Sequence, residues 1–200
     1  MAARKRNKSI VREYAEIIVL AVALALFVRT FFVQAFRIPS ESMEDTLLVG
    51  DFLFANKFLY GPKLPFVDVR LPAIRQPQAG DIIIFKYPGD RKTDYIKRCV
   101  AVEGQVVELR GETLYVDDDP VEEDFTQYSN GSKLLRNYGP YTVPEGHVFM
   151  MGDNRDNSAD SRAWGPLDKR LVSGKAMFIY FSVDKETRSI RFSRIGDIIR

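Results

Sequence analysis

The sequence predicts a mainly β domain, an antiparallel folded sheet or partly open barrel, preceded by one N-terminal transmembrane helix. The helix is predicted from a single apolar run at 17–36, which is long enough to cross a bilayer. The β domain is predicted over 37–200, where short β-branched and aromatic runs are bounded by Gly, Pro and Asp and no long helical period recurs. A chain of 200 residues has room for one such domain and an appendage.

The apolar run IIVLAVALALFVRTFFVQAF contains one charged residue, Arg29. Twenty helical residues span about 30 Å, the thickness of the hydrocarbon core. Segment 1–16 is basic, which predicts that it stays in the cytoplasm and that 37–200 lies on the outer face of the membrane. The basic residues of this segment are Arg4, Lys5, Arg6, Lys8 and Arg12.

Two other interpretations of the apolar run remain open. The run is also compatible with a buried core helix, although the flanking basic cluster is more typical of a membrane segment. A cleaved secretory signal is the second alternative, because a basic start, an apolar stretch and the small residue Ala35, two positions after Val33, are features of such signals. The bulky pair Phe31-Phe32 and the apolar continuation to Phe36 favour retention of the segment.

The remainder of the chain is organised as short strands separated by turns. Strands are predicted at 51–58, 81–87, 95–102, 106–109, 113–116, 147–151, 176–183 and 190–193. The proline-rich segment 60–78 is predicted to be a long loop. Segment 105–145 includes a poorly patterned stretch that is predicted to leave the sheet, and its acidic residues at 117–124 predict a solvated face.

Composition excludes several classes of function. The net charge of +2 argues against nucleic acid as a partner, because such binding needs many Lys and Arg residues that neutralise phosphates. Cys99 is the only cysteine, so no intrachain disulfide can form. His147 is the only histidine, so any Ser-His-Asp catalyst in this chain would have to use it.

Three segments carry more polar and reactive residues than strands and turns require: IPSESMEDTL at 38–47, DYIKRCVA at 94–101 and GDNRDNSADSRAWG at 152–165. In the second segment, strand alternation places Lys97 on one face with Tyr95 and Cys99, and Arg98 on the other face. A lysine beside an aromatic residue and a cysteine is a candidate for burial. Burial would lower its pKa from about 10.4 toward the range in which an amine acts as a base.

The third segment contains enough carboxylates to suggest calcium, but it does not fit an EF-hand loop. Counted from Asp156, the sixth position is Ser161 instead of Gly and the twelfth is Leu167 instead of Glu. A polar loop held by Asp160 with Arg162 is the preferred interpretation.

These three segments, together with the run Gly80–Phe85, resemble motifs of the bacterial type I signal peptidases, which are Ser–Lys dyad proteases. The resemblance is dense over 37–61, 80–101 and 147–166, and clear again over 173–199. It is poor across 105–145, where that family varies in length. Four long motifs in the same order make the resemblance highly specific.

The resemblance implies a role for each matching residue. Ser42 corresponds to the nucleophile and Lys97 to the general base, while the Ser40 hydroxyl and the Ser42 N–H correspond to the oxyanion hole. Ser158 corresponds to a serine that orients the lysine, and Asp160 and Arg162 to a supporting pair. The walls of the substrate pockets correspond to Ile38, Met43, Leu47, Ile84, Tyr95 and Ile96.

The resemblance also implies what the protein does and where. Such an enzyme removes signal peptides from exported preproteins after small residues, in an Ala-x-Ala pattern, through an acyl-enzyme and without a metal or cofactor. Its partners are preproteins and membrane lipid, with no nucleic acid. It is a single-pass protein of the bacterial cytoplasmic membrane, with its catalytic domain outside.

The sequence departs from the commonest family pattern at Glu41, Asp45 and Ala163, where Gly, Pro and an aromatic residue are frequent. None of these changes removes a group that the chemistry needs, and Glu41 is expected to point to solvent. Three alternatives remain: a self-cleaving Ser–Lys repressor, a Ser-His-Asp hydrolase that uses His147, and a non-catalytic membrane-tethered β binding module.

Overall fold

A computed structural model describes residues 10–63, 69–128 and 136–200. Helix α1 covers Ile10–Phe31 and a short helix α2 covers Ser161–Trp164. The strands are β1 (Val33–Arg37), β2 (Asp51–Asn56), β3 (Ile82–Lys86), β4 (Asp94–Val102), β5 (Val106–Arg110), β6 (Thr113–Val116), β7 (Asp119–Pro120), β8 (Asn137–Thr142), β9 (His147–Met151), β10 (Leu167–Asp168) and β11 (Val172–Ser182). The strand ladders in the described part are antiparallel, which confirms the predicted mainly β architecture.

Helix α1 packs little against the β domain. Its apolar side chains are largely exposed, with Ile17 at 62%, Leu20 at 71% and Leu24 at 60%, so it is not the buried core helix considered above. Among the described residues, no helix is long and apolar enough to cross a membrane. Residues 1–9, with most of the basic cluster, lie outside the described residues.

The predicted helix at 17–36 is wrong at its C-terminal end. The helix stops at Phe31, and Val33–Arg37 form β1 instead. The reason is tertiary pairing: β1 runs antiparallel to β2, from Val33 opposite Asn56 to Arg37 opposite Phe52. Phe36 also packs against an apolar core cluster, so these apolar residues belong to the β domain.

The main sheet has seven strands in the order β1-β2-β11-β3-β4-β9-β10. Register shifts interrupt β11 where it faces β2 and β3, and β4 between Cys99 and Ala101 where it faces β9. Such bulges bend and twist a sheet, so the long strands β4 and β11 do not remain flat. Strand β4 pairs with β9 only from Arg98 onward, which leaves the other edge of Asp94–Lys97 without a strand partner in the described part.

Segment 105–145 forms a second sheet of four strands, in the order β7-β6-β5-β8. The sequence predicted no strand at β7 or β8, so both were missed. Residues 106–109 and 113–116 were correctly predicted as strands. Strand β8, NYGPYT, carries Gly and Pro, which weaken a local strand signal, and its pairing with β5 overrides that weakness. Residues 129–135 of this segment and 64–68 of the predicted loop lie outside the described residues.

The predicted last strand at 190–193 is also wrong. A single bridge joins Ile190 to Val183, and the chain then forms a 3-10 turn at Phe192–Arg194. The turn is stabilised by Arg194, whose guanidinium lies 2.7 Å from the buried carboxylate of Asp51. This ion pair holds the C-terminal segment against the start of β2.

Candidate active site

Ser42 lies in the turn-rich segment between β1 and β2. Backbone hydrogen bonds from Ile38 to Asp51, at 2.8 Å, and from Gly50 to Ile38, at 3.1 Å, close this segment into a compact loop. Met43 and Leu47 are fully buried, and they anchor the loop in the core. The local apolar residues thus fix the backbone on which Ser42, itself 7% exposed, is carried.

Lys97 lies in the middle of β4, opposite Ile83 of β3. It is 4% exposed, which confirms the burial predicted from strand alternation. Its Nζ donates a 2.6 Å hydrogen bond to Ser42 Oγ and a 3.0 Å bond to the carbonyl of Ile96. Nζ also lies 5.5 Å from the centre of the Tyr95 ring. The structure therefore brings the two residues of the predicted dyad into direct contact.

The environment of Lys97 favours its neutral form. Burial lowers the pKa of the amine to about 8, and the carboxylates of Asp160 and Asp153 oppose that fall without cancelling it. Desolvation disfavours the charged form of a lysine, so the direction follows from its position in the sheet. An amine with a pKa near 8, in hydrogen-bond contact with a serine hydroxyl, has the geometry and basicity of a general base.

Ser40 lies beside Ser42 and is more exposed to solvent than Ser42 or Lys97. Its Oγ lies 3.5 Å from Ser42 Oγ, and the residue is exposed. Glu41, between the two serines, is exposed as expected, and its carboxylate accepts a 3.3 Å hydrogen bond from Asn157 Nδ2.

The loop after β9 packs directly behind Ser42. The Asn154 N–H donates to the Ser42 carbonyl at 3.2 Å. A Cβ added to Gly152 would lie 2.4 Å from that carbonyl and 2.3 Å from Ser158 Oγ, so only glycine fits there. Ser158 Oγ is buried and makes no hydrogen bond to any described residue, so the structure puts it near the site without joining it to Lys97.

Asp160 and Arg162 form the pair predicted from the sequence. Asp160 caps helix α2 by accepting from the Arg162 N–H, and it accepts a second backbone bond from Gly152 at 3.1 Å. The Arg162 guanidinium lies 2.8 Å from the Asp160 carboxylate and donates at 2.6 Å to the Arg155 carbonyl. These bonds fix the loop that lies against Ser42.

Comparison with known proteins places this geometry in a family. The family model described as signal peptidase, peptidase S26, matches residues 11–181. The chain belongs to the signal peptidase family, peptidase S26. A signal peptidase I of Pseudomonas aeruginosa is 36% identical, with 97% of this chain and 82% of the relative covered. One of Bacillus licheniformis is 35% identical, with 88% and 91% covered.

A solved structure titled as a signal peptidase I from Enterococcus faecalis V583 is 32% identical, with a TM-score of 0.45. It covers 52% of this chain and 98% of its own. Family membership makes the chain a peptidase and leaves the repressor and the non-catalytic binding module without support. The serine hydrolase that would use His147 also lacks support, because the His147 ring bonds to the Glu145 carbonyl at 2.8 Å and Ser42 bonds to Lys97.

The sequence analysis of this signal peptidase family member missed a buried ion pair beside the dyad. Arg98 donates to Asp153 through Nε at 2.9 Å and Nη2 at 2.7 Å, and Thr46 Oγ1 donates to the same carboxylate at 2.6 Å. The three residues come from three different segments of the chain. The local sequence signal for this ion pair was Arg98 itself, a second charged residue directly after Lys97 in the middle of β4.

The segment 121–128, which follows β7 of the second sheet, covers this ion pair. The Phe125 ring centre lies 3.6 Å from the Arg98 guanidinium, and Gln127 exchanges backbone bonds with the loop after β9. Glu123 forms a buried 2.5 Å ion pair with Arg155. The predicted solvated face is therefore wrong for Glu123, which is turned inward, whereas its neighbours Glu122 and Asp124 are exposed.

The predicted pocket residues do not all lie together. Five of them share one buried apolar cluster beneath the Ser42 segment: Ile38, Met43, Leu47, Ile84 and Ile96. Tyr95 points to the opposite face, where it stacks on Tyr87 with ring centres 4.7 Å apart. The cluster packs under the Ser42 segment. Tyr95 lies on the same face of β4 as Lys97.

The carboxylates of the third motif are used in ion pairs. Asp153 binds Arg98, Asp160 binds Arg162, and Asp156 lies 2.5 Å from Arg136, so no cluster suited to a metal ion occurs among the described residues. Arginine partners neutralise each carboxylate where a calcium loop would leave it free for the cation.

Proposed function

We propose that this protein removes N-terminal signal peptides from exported preproteins by a Ser–Lys dyad mechanism. The observation that carries the proposal is the 2.6 Å hydrogen bond between Lys97 Nζ and Ser42 Oγ in a buried site, where the pKa of the amine falls to about 8. Neutral Lys97 takes the proton of Ser42, whose oxygen attacks the carbonyl carbon before the cleavage site. The protonated Lys97 then gives this proton to the leaving amine as the peptide C–N bond breaks, which leaves an acyl-enzyme and a neutral lysine. Neutral Lys97 next takes a proton from a water, whose oxygen attacks the acyl carbon and releases Ser42.

The oxyanion of the tetrahedral intermediate is assigned to the Ser40 hydroxyl and the Ser42 N–H. Ser40 Oγ lies 3.5 Å from the nucleophilic oxygen, which is a reasonable separation for a donor that faces the neighbouring carbonyl oxygen. Asp160 and Arg162 hold the loop behind Ser42. Ser158 is assigned the orientation of Lys97, and its unbonded buried hydroxyl is available for that contact once the lysine is neutral.

Specificity for small residues is assigned to the edge of β4. Among the described residues, Asp94–Lys97 have no strand partner on the side away from β3, so an extended substrate has backbone groups to pair with next to the nucleophile. Strand β3 offers no such edge, because it is paired with β11 on one side and with β4 on the other. Strand alternation turns the first and third residues before the cut toward the protein, which suits Ala at both positions and leaves the middle position free.

Membrane attachment is assigned to α1, whose exposed apolar surface supports contact with lipid. In this proposal the protein is a single-pass protein of the bacterial cytoplasmic membrane, with residues 1–16 in the cytoplasm and the β domain outside. Protease added to spheroplasts should digest the β domain from outside while the N-terminus stays protected. Digestion of the N-terminus alone would reverse the proposed orientation.

The dyad is tested with purified full-length protein and a preprotein that carries Ala-x-Ala before its cleavage site. Ser42→Ala and Lys97→Ala should each abolish cleavage, and Lys97→Arg should be equally inactive because a guanidinium keeps its proton in the working range. Ser189→Ala and Lys185→Arg, both at exposed positions, are matched controls that should cleave normally. Turnover near the wild-type value in any of the three dyad variants would contradict the mechanism.

A further inference from the structure

Two grooves meet where α1 enters the β domain. The first is apolar and lies between α1 and the β1–β2 ladder, lined by Leu24, Val28, Val33 and Phe54. The second is basic and begins at Lys57. Gln34 lines both, so the two grooves adjoin at this residue. An apolar groove next to a basic one is complementary to a lipid, in which an apolar acyl chain is followed by a negatively charged headgroup.

The junction carries two cations without carboxylate partners. Arg29 lines the apolar groove and Lys57 the basic one, and neither forms an ion pair or side-chain hydrogen bond within the described part of the chain. Burial lowers the pKa of Lys57, and the positive charge of Arg29 adds to this effect. Two like charges held together without a counter-ion favour an anion between them.

The junction is fixed by the fold. The Lys57 N–H donates to the Phe32 carbonyl at 3.0 Å, and the Phe32 and Phe58 rings stack with centres 5.1 Å apart. These contacts join the end of α1 to the turn after β2. Beyond Lys57 the basic groove continues past Lys63, Arg70, Lys86, Arg91 and Arg170. Among the described residues its acidic lining residue is Asp168, which pairs with Arg170.

We propose that this junction binds a membrane phospholipid, with its phosphate between Arg29 and Lys57 and an acyl chain in the groove between α1 and β1–β2. The inference rests on the proposed placement of the domain at the membrane surface. The charge of the junction favours a lipid over a signal peptide, because a phosphate neutralises the two cations and an apolar peptide helix does not. A bound lipid would fix the height of the β domain, and with it Ser42, above the bilayer.

The test measures retention of phosphatidylglycerol by the full chain in detergent micelles, using native mass spectrometry. Arg29→Gln with Lys57→Gln should weaken retention about 30-fold, as expected when two basic residues leave an anionic lipid surface. Lys185→Gln, an exposed cation remote from the junction, is the matched control and should bind as the wild type does. Reversal of both charges to Glu should abolish retention of phosphatidylglycerol.

Three outcomes would overturn the proposal. The first is retention of phosphatidylglycerol by the double variant with unchanged affinity. The second is displacement of the lipid by inorganic phosphate at equal concentration, which would indicate a site for the free anion. The third is displacement of the lipid by a synthetic signal peptide that loses affinity for the double variant to the same extent, which would indicate a peptide-docking groove. Cleavage of a short peptide in lipid-free detergent should stay within about two-fold of wild type, so failure of the lipid site is distinguishable from failure of the dyad.

Discussion

Replacement of Lys97 with Met should raise the free energy of unfolding at neutral pH, although it removes the proposed base. Lys97 is 4% exposed, and its pKa falls from 10.5 to about 8, chiefly because burial disfavours the charged amine. At about 1.36 kcal/mol per pKa unit, this fall corresponds to a cost of about 3 kcal/mol. Met has a similar length and flexibility, and it leaves no charge to desolvate.

The cost depends on pH in a defined direction. Below pH 8 both the folded and the unfolded chain hold the proton of Lys97, so the folded state bears the whole cost of burying a charge. Between about 8 and 10.5 the unfolded chain binds the proton and the folded chain does not, so wild-type stability rises with pH. Above this window the lysine is neutral in both states and the cost is absent.

The net effect also includes the hydrogen bonds that Lys97 Nζ donates to Ser42 Oγ and the Ile96 carbonyl, each worth about 1 kcal/mol. Lys97→Met should therefore be more stable than wild type by about 1 kcal/mol at pH 7 and less stable by about 2 kcal/mol above pH 10.5. Urea unfolding of the full chain in detergent at both pH values measures the difference, in which all other titrating groups cancel. A difference that stays constant across this range would refute the proposed desolvation of Lys97.

Other perturbations have equally specific expected outcomes. Ser40→Ala should lower kcat about 100- to 1000-fold in steady-state assays, as loss of one oxyanion donor does. Gly152→Ala should lose most activity, because its Cβ would lie 2.3 Å from a hydroxyl and 2.4 Å from a carbonyl of the site. Glu123→Gln should lower the free energy of unfolding by about 3 to 5 kcal/mol in urea titrations, because it leaves Arg155 charged and buried. The kcat for cleavage should rise about ten-fold from pH 7 to pH 9 as Lys97 loses its proton.

The Ser40 and Glu123 variants each have a matched control. Ser189→Ala, at an exposed position, should leave kcat unchanged, and an equal loss in both variants would count against an oxyanion role for Ser40. Glu122→Gln, next to Glu123 but exposed, should not affect stability. A kcat that does not change between pH 7 and pH 9 would contradict a base with a pKa near 8.

Strands with a strong local pattern were predictable from the sequence alone. Segments 113–116 and 147–151 coincide with β6 and β9, because alternation and bounding turn residues there agree with the tertiary fold. Strand β1 was not predictable, because its apolar residues continue the composition of α1 and only pairing with β2 distinguishes them. For β1 a non-local partner decides between helix and strand.

The contact between Ser42 and Lys97 was predictable because both residues lie in recognisable motifs. Their surroundings were not, since the Arg98–Asp153 pair joins positions 55 residues apart and the Glu123–Arg155 pair joins positions 32 apart. Local sequence indicates that these residues are charged but not which partner each one takes. The acidic stretch around Glu123 therefore predicted a solvent-exposed face, although the Glu123 carboxylate is buried against Arg155 in the loop after β9.

The low pKa of Lys97 depends on how the neighbouring carboxylates are paired. Asp160 and Asp153 both raise it and so oppose the effect of burial. Each lies against an arginine, Asp153 at 2.7 Å from Arg98 and Asp160 at 2.8 Å from Arg162, and all four side chains are at most 4% exposed. A buried carboxylate without its cation would act on the amine at close to full strength, because little water is present to screen it. Each arginine lies within ion-pair distance of its carboxylate and so opposes that carboxylate's field at the amine. Desolvation outweighs both carboxylates, and the pKa of Lys97 falls to about 8.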